Sequence, residues 1–322
     1  MKKISTISEF KANDDIQGFY LCKEKNLRTT RAGELFLDLM LKDKTGEVGA
    51  KVWDRVKEFE AKFEAGDAVA VRGRVDMFQD RLQVVVGRIN KATPEKYGRH
   101  GFKEDDLVPT SPYDPVKMWT EVGALIQKIK NNYLKKLLTD IYKSNKKTLQ
   151  RIPASIAMHY PYRSGYLEHV LSMAKVGLKL ARHYQADEDL VLAGILLHSV
   201  GKVREFTDTL VPEYTDEGNF LGHTDIGRDM TREAADRIND FPPDLLLQLE
   251  HMVSSHEGVF DGRRSSRART KEALLLQLID YMDTRLNVFD KVIQQDSEYG
   301  EWTSRRNFFG ASLYKGKSTA DS

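Results

Sequence analysis

The sequence predicts two domains in series, an all-β barrel followed by an all-α body. Three observations predict it. Up to residue 92 the apolar residues tend to alternate with polar ones, as in half-buried strands. After Asp114 they recur every three to four residues, as on one face of a helix. Between the two regimes lie breakers with little periodicity: Thr93-Pro94, Gly98 to Gly101 and Pro109-Thr110-Ser111-Pro112. The length, 322 residues, suffices for two cores. The expected division is a barrel over 1–92, a linker over 93–112, a helical domain over 113–314 and a disordered tail over 315–322.

In the first region, strands are expected at Gly18–Lys23, Leu35–Leu41, Val48–Trp53, Ala68–Val75 and Arg81–Val86. Asp43-Lys44-Thr45-Gly46 and Met77-Phe78-Gln79-Asp80 read as turns. Trp53–Phe63 reads as a helix, with Val56, Phe59 and Phe63 at helical spacing. Three strands, a short helix and two more strands is the order of an OB-fold, a small Greek-key barrel. Such barrels bind single strands by stacking bases on aromatics beside basic residues. The aromatic candidates are Tyr20, Phe36, Trp53 and Phe78, and the basic ones Lys23, Lys25, Arg28, Arg31 and Lys51. Aromatics in a small barrel mostly fill its core. Phe78, in a turn, and the basic run Lys23 to Arg31, read as a loop, are therefore the stronger signals.

In the second region, Val116–Lys130 and Asn132–Lys143 are amphipathic, and Leu134, Leu137, Leu138 and Ile141 mark one face. His169 begins a helix continued by Val170, Leu171, Ala174 and Leu178. The apolar run Leu190–Leu197 is too short for a membrane span and reads as a buried helix that delivers His198 and stops at Gly201. Glu213–Gly222 reads as a loop, after which His223 opens a helix. Asp244–Ser255 carries His251 with His256 at its end, and Lys271–Asp290 carries Asp280 and Asp283. A lone histidine on an apolar helix is ordinarily a core residue. Here His169, His198, His223, His256 and Asp280 sit in or beside separate helices. Neutral imidazoles with carboxylates bind divalent metals, so these helices are expected to converge on a metal site. Arg263, Arg264, Arg267, Arg269 and Lys271 read either as a clamp for a nucleic-acid backbone or as a solvated loop.

The bulk numbers narrow the rest. A net charge of +2 confines any basic surface to local patches. The single cysteine, Cys22, excludes an internal disulfide and a thiolate zinc site. Neither a signal peptide nor a membrane helix is visible, so a cytoplasmic protein without a membrane partner is expected. The sequence says nothing of oligomeric state.

Several stretches together resemble a known family. They are Leu39-x-Leu41-x-Asp43-Lys44-Thr45-Gly46, Ala50-Lys51-Val52-Trp53-Asp54, Gly165-Tyr166-Leu167-Glu168-His169, Gly201-Lys202, Gly222-His223, Ser255-His256, Asp280-x-x-Asp283, and Gly300-Glu301-Trp302-Thr303 through Leu313-Tyr314-Lys315. In order and arrangement they resemble the YhaM-type 3′–5′ exoribonucleases, which join an OB-fold to a helical domain of the HD superfamily of metal-dependent phosphohydrolases. The resemblance implies metal ligands at His169, His198 and Asp280, with His223 and His256 holding a second metal or contacting phosphate. His159, His251 and Asp283 would support these ligands or serve the fold. Lys202 would face a phosphate oxygen, or else act as a cation at a helix C-terminus. Manganese is the metal implied, and the ligand set also admits Fe, Co, Zn or Ni.

Two positions depart from the family pattern. Ser199 stands where the family has a metal-binding aspartate, and Glu257 stands where it usually repeats histidine. The loss at Ser199 fits either a divergent member or a chain disabled on purpose, and weak metal affinity with little hydrolysis is expected in both cases. The leading expectation is a 3′–5′ exonuclease on single-stranded RNA, or DNA, that releases nucleoside monophosphates and is impaired by Ser199. The rivals are a single-strand-binding protein without turnover and an HD hydrolase of small nucleotides.

Overall fold

The computed structural model describes residues 4–258 and 267–316. Arg263 and Arg264 of the expected clamp, and residues 317–322 of the expected tail, lie outside the described residues.

Five strands, β1 (Asp15–Thr29), β2 (Leu35–Asp43), β3 (Gly46–Val52), β4 (Ala68–Phe78) and β5 (Arg81–Lys91), close into a barrel in the order β1-β2-β3-β5-β4. Neighbours are antiparallel except β3 and β5. Helix α1 (Val56–Glu60) joins β3 to β4, giving the OB-fold that the element order predicts. Alternation decides what is inside: Leu37, Leu39 and Leu41 of β2 meet Val48, Ala50 and Val52 of β3 in an apolar core. The β2–β3 turn forms because the Asp43 carboxylate accepts from the Thr45 and Gly46 amides at 2.7 and 3.1 Å. The β4–β5 turn is a two-residue hairpin with Gln79 and Asp80 both at positive φ, 50° and 59°.

Three expectations for this region are corrected. Strand β1 continues to Thr29, so the basic run Lys23–Thr29 is strand, and only Arg31 lies in the turn that follows. Its Lys23–Thr29 half is polar except for Leu27 and largely exposed, so no alternation marks it, and a bulge between Cys22 and Glu24 shifts its register. The helix expected over Trp53–Phe63 shrinks to five residues, although Phe59 and Phe63 are buried as their spacing suggested. Tyr20 is core, fully buried, its hydroxyl donating to the Ser5 carbonyl at 2.8 Å. Beyond β5, the chain forms α2 (Pro94–Tyr97), and Phe102, Leu107 and Val108 pack against Leu21, Ala68 and Ala92 of the barrel.

From Ser111 the chain is helical: α3 (Pro115–Lys128), α4 (Asn132–Ser144), α5 (Lys146–Leu149), α6 (Gly165–His183), α7 (Glu188–Leu197), α8 (Lys202–Glu205), α9 (Asp216–Asp236), α10 (Pro243–Ser255) and α11 (Lys271–Gln295). Side chains of Asp114, Asn131, Asp187, Thr215 and Thr270 cap the helices they precede. Helix α7 is apolar on every side because α4, α6, α10 and α11 surround it, and Val191–Leu197 are all buried. Residues 216–221, expected as loop, are helical. Gly222, at φ 70°, then breaks α9, which is why the pattern restarts at His223. Gly201 is not a stop signal, since α7 already ends at Leu197. Its missing side chain matters instead, because a Cβ there would meet the His223 carbonyl oxygen at 2.1 Å.

The chain divides into two compact units, one running to Thr110 and including Thr209–Glu213, the other holding Ser111–Asp208 and the chain from Tyr214 on. No described helix is long and apolar enough to cross a membrane.

Candidate metal centre

Each histidine arrives on its own element. His169 lies on α6, His198 follows the last residue of α7, His223 follows the break in α9, and His256 follows α10. Asp280 and Asp283 lie on α11. The side chains converge. Ligand atoms of His169, His198 and Asp280 lie within 4.8 Å of one another, and so do those of His223, His256 and Glu257. The two groups adjoin, with the His198 and His256 rings 5.1 Å apart.

The outer ring nitrogens fix which atom each imidazole offers. His198 Nδ1 is 2.7 Å from the Ile195 carbonyl oxygen, and His256 Nδ1 is 2.6 Å from that of Val253. A carbonyl only accepts, so both Nδ1 atoms carry the proton and both Nε2 atoms present a lone pair. His169 Nδ1 faces Asp283 Oδ2 at 2.8 Å, and Ser172 donates to the other oxygen of that carboxylate. On the inner side, Asp280 Oδ1 is 3.3 Å from His169 Nε2 and 3.9 Å from His198 Nε2. Nitrogen lone pairs facing a carboxylate oxygen repel unless a cation comes between them. His169 Nε2 has no aligned hydrogen-bond partner although it is fully buried.

The electrostatics agree. Burial pushes His169 down, but Asp280 and Asp283 outweigh it and raise its pKa. The site therefore asks for positive charge at Nε2, which a proton or a metal ion supplies. Burial holds His198 well below its ordinary value, neutral as a ligand must be. Burial alone would raise Asp280, yet the surrounding imidazoles hold it well below the carboxylate range. These residues fit a divalent metal.

In the second group, His223 Nδ1 and backbone N–H both approach Glu205 Oε1, at 3.2 and 3.0 Å. His223 Nε2 is 3.3 Å from His256 Nε2 and 3.5 Å from Glu257 Oε1. Two ring nitrogens at that separation need a proton or a metal between them. The group borders a cavity of about 490 Å³ lined also by His159, Lys202 and Arg228. His159 is missing partners on both ring nitrogens, and its ring lies 4.9 Å from that of His169. Burial and the neighbouring His169 hold it neutral, pushed down to about 2. Lys202 is buried, and its Nζ donates to the Ala154 carbonyl at 2.5 Å. It opens α8, so the reading as a helix C-terminal cation is wrong.

Other expected residues fall elsewhere. His251 Nε2 accepts from the Arg269 backbone N–H at 2.9 Å and serves the chain entering α11. Ser199 is fully buried and its hydroxyl has no partner. Glu205 and Glu257 belong to the site, and the sequence reading missed Glu205 and dismissed Glu257. Arg267 is exposed ahead of α11.

On the barrel, Trp53 stacks on Phe36 with centroids 4.7 Å apart and is 45% exposed. Lys51 lies over Phe36 and binds Asp38, which also pairs with Arg28. Phe78 is exposed at the end of β4, and Lys23 pairs with Glu47. Lys25 is corrected: its Nζ donates to the Glu60 and Phe63 carbonyls at 2.7 and 2.6 Å, so it fastens α1 rather than waiting for a ligand.

Comparison with known proteins places both regions. Residues 166–285 match the HD domain, and residues 25–92 match an OB-fold nucleic acid binding domain. The chain is 30% identical over 316 residues to a 3′-5′ exoribonuclease YhaM of Shouchella clausii, covering 96% of this chain and 97% of that one. It is 30% identical to the protein of that name from Listeria monocytogenes, covering 92% and 93%, and 28% identical to the one from Bacillus subtilis, covering 94% and 96%.

Proposed function

The chain belongs to the family of the 3′-5′ exoribonuclease YhaM, and on that premise we propose that it is a metal-dependent 3′–5′ exonuclease of single-stranded RNA that releases nucleoside monophosphates. The observation that carries the reading is the convergence of His169, His198 and Asp280, with each Nδ1 held from behind. His169, His198 and Asp280 would hold one divalent ion, manganese by family, and His223, His256 and Glu257 a second. When bound, such an ion neutralises phosphate oxygens and makes water a better nucleophile.

The chain's own residues do the rest. Lys202 donates one N–H to the Ala154 carbonyl and keeps two for a phosphate oxygen. His159, neutral and unpartnered, accepts or donates one hydrogen bond to the water or phosphate beside it. Glu205 holds His223 in place. Trp53 and Phe36, with Phe78, Arg28 and Lys51, would hold the strand on the barrel through base stacking and backbone charge. Ser199 leaves the first group one carboxylate short, so hydrolysis is weak.

The test uses a 5′-labelled single-stranded oligoribonucleotide with manganese, with chelator, and with the Ser199→Asp variant. Shortening from the 3′ end, stopped by chelator and faster in the variant, is expected. Binding without shortening in both proteins supports the strand-binding rival. Hydrolysis of free nucleotides but not of the oligonucleotide supports the small-nucleotide rival.

A further inference from the structure

The outer faces of β1, β4 and β5 carry a row that sheet packing disfavours. Gln17, Arg72 and Arg88 stand opposite one another, and Phe19, Ala70 and Asn90 form the next row. Like charges directly opposed destabilise a sheet. Several other outward cations of the barrel have carboxylate partners: Lys23 and Lys42 share Glu47, Arg28 and Lys51 share Asp38, and Lys91 pairs with Asp67. The side chains of Arg72 and Arg88 have neither an ion pair nor a hydrogen bond among the described residues.

Both arginines border a cavity of about 320 Å³ with no carboxylate in its lining. Tyr97 and His100, from α2 and the turn after it, wall one side, and Phe19 meets Tyr97 edge-on at 5.6 Å. Gln17 and Asn90 bring side-chain amides. The size is at the small end of the roughly 300–1,000 Å³ of ligand sites. Three kinds of group match three parts of one ligand. Adjacent guanidinium forks suit a phosphate, aromatic rings suit a base, and amides suit the edge of a base.

The geometry points to a second nucleotide site on the barrel, in which Arg72 and Arg88 bind the phosphate of a single nucleoside monophosphate unit and Tyr97 and His100 face its base. The site is separate from the Phe36–Trp53 stack, which belongs to β2 and the end of β3. It needs no metal and does not depend on turnover in the helical unit. The unit it takes is either a free nucleotide or one residue of a strand.

The experiment titrates the full chain, in chelator, with AMP and separately with a short 5′-phosphorylated oligoadenylate, followed by calorimetry. It compares the parent, Arg72→Gln/Arg88→Gln, Tyr97→Ala and His198→Ala. AMP is expected to bind the parent and His198→Ala alike. It should bind the arginine variant about tenfold or more weakly, the scale of a lost charge-assisted hydrogen bond of roughly 1.5–3 kcal/mol. Tyr97→Ala should also bind it more weakly. The arginine variant should melt no earlier than the parent, because an opposed charge pair is gone. A matching loss with the oligoadenylate identifies a strand residue as the ligand, and an unchanged oligoadenylate affinity identifies the free nucleotide. AMP that fails to bind the parent, or binds both barrel variants as well as the parent, overturns the site. AMP binding lost only in His198→Ala also overturns it, while leaving the exonuclease reading intact.

Discussion

Inside the barrel, the buried charged side chains are satisfied: four donors reach the Asp43 carboxylate, and the Lys25 ammonium donates to the Glu60 and Phe63 carbonyls and to Glu64. Inside the helical unit, His169, His198, Lys202, Glu205 and His256 are all buried, while His159, His169, Ser199 and Ser255 keep polar atoms without partners. A buried group left unpaired costs about 1–3 kcal/mol. The helical unit carries several of them near His169 and Asp280, whose shifts both favour a cation between them. The contrast teaches where each unit keeps its chemistry. The barrel displays binding groups on an intact core, so removing one should spare stability. The helical unit builds its site from core positions, so ligand binding and stability are coupled there.

The largest expected effect tests that coupling. His198→Ala should abolish hydrolysis and manganese-dependent stabilisation together, measured by strand shortening and by melting with and without manganese. If manganese still raised the melting temperature by the parent's amount, the ligand assignment would be wrong. Asp283→Asn removes the carboxylate behind His169 and should lower metal affinity by roughly 10–100-fold, read by titration. A smaller shift would mean that Asp283 serves only the fold.

Trp53→Ala should weaken oligoribonucleotide binding by about 1–3 kcal/mol per base stacked, with the melting temperature unchanged. Tyr20→Ala, in the core of the same barrel, should instead lower stability. Equal destabilisation by both would break the contrast between an outer binding face and a packed interior.

The smallest effect is in pH. His159, held down to about 2 by burial, and His198, also lowered, bind no proton when folded, while the unfolded chain takes one up below its ordinary value. Their contribution is complete above about pH 6.5 and is lost as the pH falls toward the folded values. Cys22, raised to about 12 by burial, behaves oppositely. Its contribution is complete below about pH 8.5 and is lost as the pH rises through the folded value. Metal-free protein should therefore lose its helical unit first in acid, followed by helix and strand signals in circular dichroism. In alkali both units should weaken, since burial also raises Tyr142, Tyr160, Tyr162 and Tyr166 of the helical unit. Simultaneous loss of both units in acid would contradict this.

Much of this was legible in the sequence because burial leaves a period. Alternation located a part of all five strands, and His169, His198 and His256 stood out because each interrupted or followed an apolar helical run, while His223 stood out only by opening a helix after a glycine. What sequence cannot show is the partner across space. Lys25 looked like a surface cation until its ammonium was found on the Glu60 and Phe63 carbonyls. Glu205 carries no signal of its own, since its role exists only through the backbone and ring of His223. Glu257 did carry one, standing next to His256, but it was read as a missing imidazole rather than as a carboxylate 3.5 Å from His223. Arg72 and Arg88 become a pair only through strand register.

The buried imidazoles and Asp280 are expected to hold a divalent ion. The most direct test is anomalous diffraction from crystals grown with manganese. A peak bounded by His169, His198 and Asp280, absent in His198→Ala, is the predicted result. An ordered site without any peak there, its ring nitrogens bridged only by protons or water, would contradict it.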